Sequence, residues 1–203
     1  MKHETLKQGL FIVLEGIDGA GLTTNCNLLV DWLKDNKFDT LYTKEPTDGP
    51  IGKIIREQLL SNPDPYYMAL LFTADRCIHV KDFIIPNIKR KRIVVCDRYY
   101  YSTLAYQSIH GVDFNLIYRM NKKFPEPNIV ILLDVNPEIS IKRKDGGKEY
   151  YEKIEFLKLV RKKFLEMASD FNFVVISAED SLEIVQNKVR KVIEYLIDEN
   201  MNY

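Results

Sequence analysis

The chain has 203 residues, 46% of them hydrophobic, enough for one compact unit with a sizeable interior. Lys plus Arg and Asp plus Glu balance at 29 each, so no global charge draws the chain to nucleic acid or to an acidic membrane. No apolar run approaches the ~20 residues that span a bilayer, and the polar residues 1–8 lack an export pattern, so a cytoplasmic protein is expected.

In chain order, the apolar run Leu10–Glu15 reads as a buried strand leading into Gly16-Ile17-Asp18-Gly19-Ala20-Gly21, with a helix over Thr23–Asn36. Thr40–Lys44 is a second strand, followed by helical patterns at Ile51–Leu60 and Tyr66–Lys89, where Pro86 is expected to bend or end the helix. A third strand, Ile93–Cys96, precedes helices at Ser102–Ser108 and Asn115–Lys123. A fourth, Ile129–Asp134, precedes helices at Pro137–Arg143 and Tyr150–Asp170. Phe173–Ile176 and a helix over Leu182–Asp198 complete the pattern. Strands alternating with helices imply βαβ units, and their continuous apolar character implies a parallel sheet buried on both faces. Neither a repeat nor a linker interrupts the chain, which reads as one domain over residues 1–203.

Ligands of such sheets collect at the carboxyl ends of the strands, and the chemistry-bearing residues fall there. After the first strand, the spacing G-x-x-x-x-G-x-T (Gly16, Gly21, Thr23) describes a loop whose amides, with the positive end of the following helix, form an anion nest. Glu45-Pro46-Thr47 follows the second strand, where proline fixes a turn over the crevice at the carboxyl ends of the strands. Asp97-Arg98-Tyr99 follows the third. The planar fork of Arg98 suits a substrate phosphate, and Asp97 suits water-bound Mg²⁺ or orientation of that phosphate. Phe72 and Arg76, four apart on one helix face, offer an aromatic plate and a guanidinium to a flat nucleobase. Asp134 ends the fourth strand in the position of a magnesium-associated acid. The segment from Lys142 to Lys148 reads as a basic flap over transferring phosphates, whereas Lys89–Arg92 reads as a solvated turn. Three cysteines and three histidines are scattered without metal-ligand spacing.

Together the segments FIVLEGIDGAGLTT, TKEPTDGPIGKIIR, ALLFTADR, VVCDRYYYSTLAYQ and ILLDVNPEISIKRK, in this order, resemble thymidylate kinase along nearly the whole chain. The resemblance implies the α/β P-loop NTPase fold: a five-stranded parallel sheet with helices on both faces and a short lid at about residues 142–150. It also implies phosphoryl transfer from ATP to dTMP with Mg²⁺, and a homodimer joined through helices next to the second and third. By this resemblance Gly16, Gly19, Ala20, Gly21, Leu22, Thr23 and Thr24 bind the ATP phosphates, with Thr23 and Asp97 serving Mg²⁺. Phe72 stacks on thymine, Arg76 bonds its edge, Arg98 grips the monophosphate, and Asp18 lies near the sugar and the catalytic centre. Glu45, Thr103, Tyr106 and Gln107 complete the dTMP pocket, with the Tyr106 ring disfavouring a ribose 2′-hydroxyl. Some members carry an arginine in the loop where this chain has Gly19, so the catalytic cation is expected from the lid: Arg143 first, then Lys142, Lys144 or Lys148.

One position departs from the pattern. Leu22 stands where the loop lysine reaches the β- and γ-phosphates. Losing such a clamp costs about 10²–10³ in rate on the oxyanion-hole scale. The sequence leaves open a slow kinase, a substitution that traps complexes, a nucleotide binder without turnover, a kinase for another nucleoside or nucleotide, or a lid lysine (Lys144 or Lys148) in the vacant role.

Overall fold

The first strand, β1 (Leu10–Glu15), is buried at every residue and occupies the middle of a five-stranded sheet. The computed structural model describes residues 6–143 and 150–201. The other strands are β2 (Thr40–Lys44), β3 (Ile93–Asp97), β4 (Ile129–Asp134) and β5 (Val174–Ser177), in the spatial order β2-β3-β1-β4-β5. All pairs are parallel, with Leu14 beside Asp97 and Lys44 beside Asp97 in the register. The strands therefore present their carboxyl ends along one rim, where Glu15, Asp97 and Asp134 close β1, β3 and β4.

Helices cover the sheet: α1 (Leu22–Asp35), α2 (Pro50–Gln58), α3 (Pro65–His79), α4 (Ile85–Lys89), α5 (Tyr100–Ile109), α6 (Phe114–Asn121), α7 (Pro137–Lys142), α8 (Tyr150–Asp170) and α9 (Leu182–Asn200). In α8 the buried residues Ile154, Leu157, Val160, Phe164 and Met167 recur at helical spacing. Val185, Val189, Ile193 and Ile197 do the same in α9. Among the described residues no helix is long and apolar enough to cross a membrane.

The helix expected over Tyr66–Lys89 is one path with a wide turn in it. Between α3 and α4, residues Val80–Ile84 open into a π turn, and Ile85 N–H donates to the Val80 carbonyl. Pro86 lies just beyond; it lacks an N–H and its ring would crowd the preceding turn of a regular helix. The widened turn accommodates that ring, so the helix continues to Lys89 instead of ending at the proline. The last strand begins one residue later than its pattern predicts. Phe173 N–H closes the end of α8 by donating to the Ala168 carbonyl at 2.9 Å.

Candidate active site

Between β1 and α1 the backbone folds into a cup. At Gly16 an added Cβ would lie 2.7 Å from the Leu133 carbonyl, and at Gly19 (φ +81°) it would lie 2.4 Å from that of Ser140. Both contacts are with backbone, so no side chain fits at either place. Gly21, at φ 86°, precedes α1, which has no side-chain cap and no acid in its first turn. The leading amides of α1 are left for an anion, with the helix dipole behind them. Thr23 and Thr24 are exposed at the mouth. Leu22 turns the other way: it is 5% exposed, belongs to the hydrophobic core, and packs beside Gly16.

Thr23 donates its hydroxyl to Asp97 Oδ2 at 2.6 Å, and Tyr42 donates to the same oxygen at 3.4 Å. A hydroxyl from the first turn of α1 and a carboxylate at the end of β3 form a two-oxygen donor set. Such a set fits Mg²⁺, which keeps several waters and takes one or two protein oxygens beside phosphate oxygens.

Arg98 follows β3 in a left-handed conformation, φ 69°, rare for a residue with a side chain. Its fork donates to the Gly16 carbonyl (2.8 Å), Ser102 Oγ (3.0 Å) and Asp18 Oδ1 (2.9 Å). Burial works against its charge, but Tyr106, Asp18, Glu15 and Asp97 outweigh this and raise its pKa. The Asp18 N–H donates to the Tyr106 hydroxyl at 3.0 Å, which ties the cup to α5.

Glu15, which sequence reasoning passed over, fixes this corner. Its Oε1 accepts from Tyr99 N–H (2.8 Å) and Ser102 N–H (3.2 Å), and Oε2 accepts from Ser102 Oγ at 2.5 Å. It therefore pins the start of α5 and orients the hydroxyl that holds Arg98. An acid closing an otherwise apolar strand was the available signal. Burial raises its pKa from 4.5 to about 7, against the lowering effects of Arg98 and the bonds from Ser102 and Tyr99. Between those values the folded state holds more protons than the unfolded chain, so stability falls as pH rises through that window. The shift corresponds to about 3 kcal/mol. Glu15→Gln is expected to flatten that slope, measured as denaturant midpoints of both proteins at pH 5 and pH 8. Equal slopes in the two would show that Glu15 does not titrate there.

A cavity of about 280 Å³ beside this corner is lined by Phe72, Arg76, Arg98, Tyr99, Ser102, Thr103, Tyr106 and Gln107, among others. Phe72 is half-buried in its wall. Arg76 is 1% exposed and held on three sides. It donates from Nε (2.8 Å) to Glu45 Oε2, from Nη1 (2.7 Å) to Asn121 Oδ1, and from Nη2 (3.1 Å) to Thr103 Oγ1. Glu45 Oε1 lies 2.9 Å from His79 Nδ1, and Thr43 Oγ1 lies 2.6 Å from His79 Nε2. Next to Arg76, Asp75 accepts from the Thr47 N–H (2.8 Å) and hydroxyl (2.6 Å). Two adjacent residues of α3 thus hold both ends of the Glu45-Pro46-Thr47 turn.

This cavity adjoins a second, of about 440 Å³, lined by the whole cup from Ile17 to Thr24 and by Lys44, Arg56 and Asp97. Asp18, Glu45, Pro46, Leu59 and Arg98 line both. A family model described as thymidylate kinase matches residues 14–189. The chain belongs to the thymidylate kinase family. A Methanocaldococcus jannaschii protein named probable thymidylate kinase is 46% identical over 183 residues, 89% of this chain and 93% of its own. Proteins of the same name from Archaeoglobus fulgidus and Pyrococcus horikoshii are 43% and 38% identical over 198 and 199 residues. Those alignments cover 95% and 93% of this chain and 99% and 97% of the relatives.

Against the family's expected site, the structure gathers Asp18, Glu45, Phe72, Arg76, Arg98, Thr103, Tyr106 and Gln107 around the first cavity. Gly19–Thr24 and Asp97 line the second. Glu45 and Thr103 reach the cavity as supports of Arg76. Arg143 is not brought to either cavity: its Nη2 donates to the Ala178 carbonyl at 2.9 Å, beyond β5. Lys144 and Lys148, and with them most of the expected lid, lie outside the described residues. Asp134 is taken by Arg161 of α8, whose Nε and Nη2 reach its two oxygens at 2.6 and 2.8 Å, and so does not stand as a free acid for a metal. Arg56, missed in the sequence although it ends the segment GPIGKIIR, lines the loop cavity and donates to the Pro46 carbonyl at 3.1 Å.

Proposed function

We propose that this chain transfers the γ-phosphoryl group of ATP to dTMP, giving ADP and dTDP. The observation that carries this reading is the continuity of the two cavities through Asp18 and Arg98. A base-sized pocket opens directly onto a phosphate cup, as an in-line transfer between two nucleotides requires. A dTMP phosphate oxygen bonds to the γ-phosphorus while the bond to the β,γ-bridging oxygen breaks, and that electron pair leaves with ADP. The acceptor is already an anion, so no base is needed, and catalysis is positioning plus charge stabilisation.

In this reading Phe72 stacks on thymine and Arg76, locked by Glu45, Asn121 and Thr103, with Nη2 also 2.6 Å from Glu45 Oε2, presents its second Nη1 N–H to the base edge. Arg98 orients the acceptor phosphate, and Tyr106 occupies the space of a ribose 2′-hydroxyl. Gly16 to Thr24 cup the donor phosphates. Thr23 and Asp97 would hold Mg²⁺, which when bound offsets charge on the β- and γ-phosphates. We assign the whole chain to one domain acting in the cytoplasm as a homodimer. Exposed apolar side chains on α2 and α3, among them Ile54, Tyr67, Leu70 and Ile78, support the pairing.

ADP release measured with dTMP, dUMP, dCMP and AMP tests the reading. The native protein is expected to prefer dTMP. No preference for dTMP, in either the native protein or Leu22→Lys, would overturn it.

A further inference from the structure

Leu22 removes a cation from the loop, and the structure holds others at the same cavity. Arg98 is engaged by Gly16, Ser102 and Asp18 on the acceptor side. Arg56 is anchored to the Pro46 carbonyl and shares Asp48. Lys44 differs. It closes β2, lines the cavity with Gly19–Thr24, and its ammonium meets only Asp48, at 3.2 Å, among the described residues. That pair is exposed, 42% on the lysine and 74% on the aspartate, so it is weak and readily exchanged.

The register fixes where Lys44 can reach. It stands directly beside Asp97 in parallel pairing, and paired residues of neighbouring strands project to the same face of a sheet. The Asp97 carboxylate on that face already touches Thr23, the neighbour of Leu22 in the loop. Lys44 is thus one strand spacing from Asp97 and two from β1, which carries the cup, and with its flexible four-carbon stem it already lines the cavity that Thr23 lines.

We propose that Lys44 supplies, from the end of β2, the phosphate-neutralising cation that the loop lacks at position 22. This rests on the kinase reading above. On nucleotide binding the ammonium exchanges Asp48 for the β- and γ-phosphate oxygens of the donor, and its point charge stabilises the moving group. A buried Leu22 and an available Lys44 are then two parts of one arrangement, with the cation moved from the loop to the adjoining strand.

The test is a cycle of four proteins: native, Lys44→Met, Leu22→Lys, and the double variant, with kcat and the KM values for ATP and dTMP measured for each. Lys44→Met is expected to lower kcat about 10²-fold in the native background, taking the scale of one lost electrostatic clamp, with the KM for dTMP unchanged. In the Leu22→Lys background the same change is expected to have little effect, because the loop cation is restored. An equal loss in both backgrounds, or no loss in the native one, overturns the proposal. Because Leu22 is buried, Lys44→Arg provides an arm that leaves it untouched. Arginine is expected to keep most of the turnover that methionine loses, and equal values for the two overturn the proposal. If Leu22→Lys phosphorylates dTMP while native and Lys44→Met are equally slow, Lys44 fails and the kinase reading stands. If neither the native protein nor Leu22→Lys uses dTMP, the kinase reading itself fails.

Discussion

Arg98→Met is expected to lower kcat/KM for dTMP by about a thousandfold, roughly 4 kcal/mol at 1.4 kcal/mol per factor of ten. The size follows from three donations made by one planar group that ties two segments together, the cup at Gly16 and Asp18 and the start of α5 at Ser102. Removing it takes away a guanidinium that lies 2.9 Å from the Asp18 carboxylate and that, in the proposed site, meets the incoming phosphate, so attraction for that phosphate is lost. Loss of one preorganised electrostatic clamp on a reacting phosphate costs about 2.7–4 kcal/mol. Arg98→Lys is expected to recover little, because a point charge cannot hold the three acceptors in a fixed fork. The backbone gives an independent check. At φ 69° a non-glycine residue carries about 1–3 kcal/mol of strain. Arg98→Gly should therefore melt above Arg98→Ala, although both are inactive toward dTMP. Steady-state kinetics with thermal melts of the four variants decide this. An Arg98→Met protein with native kcat/KM would remove Arg98 from the acceptor site.

The sheet was legible because continuous apolar runs leave few alternatives. The bounds of β1, β2 and β4 follow from where Leu10–Glu15, Thr40–Lys44 and Ile129–Asp134 begin and end. The cup was legible too, since its glycines answer to local backbone geometry. What could not be read was partnership across the chain. The spacing of Phe72 and Arg76 shows a shared helix face, but nothing local says that Arg76 is buried. Its partners Glu45 and Asn121 lie 31 and 45 residues away in sequence. Asp134 looked free for the same reason: its partner Arg161 is on a helix 27 residues later. The π turn before Pro86 was invisible because periodicity over a long helix averages out one widened turn. Leu22 could be recognised as a departure, but its inward packing and its relation to Lys44 depend on strand order, which brings the second strand beside the third and the third beside the first.

That long-range partnership also sets the largest stability effect to be expected. Arg76→Leu leaves the Glu45 carboxylate, 3% exposed on its side chain, with His79 as its one charged or ionisable partner among the described residues. Breaking a buried pair from one side costs about 3–5 kcal/mol, because the remaining charge keeps its desolvation penalty and loses its compensation. For a chain of this size each kcal/mol moves Tm by about 2–4 °C, so a fall on the order of 10 °C is expected. Adding Glu45→Gln removes the stranded charge and should recover more than half of that loss, since a neutral amide in the same place tolerates burial far better. Recognition should not recover with stability. With Arg76 gone, no guanidinium lines the base side of the cavity, and dTMP affinity in the double variant should remain as low as in Arg76→Leu. Thermal melts paired with dTMP titrations separate the two roles. Recovery of both quantities in the double variant would mean that Arg76 serves only to neutralise Glu45. An unchanged Tm in Arg76→Leu would mean that Glu45 does not depend on it.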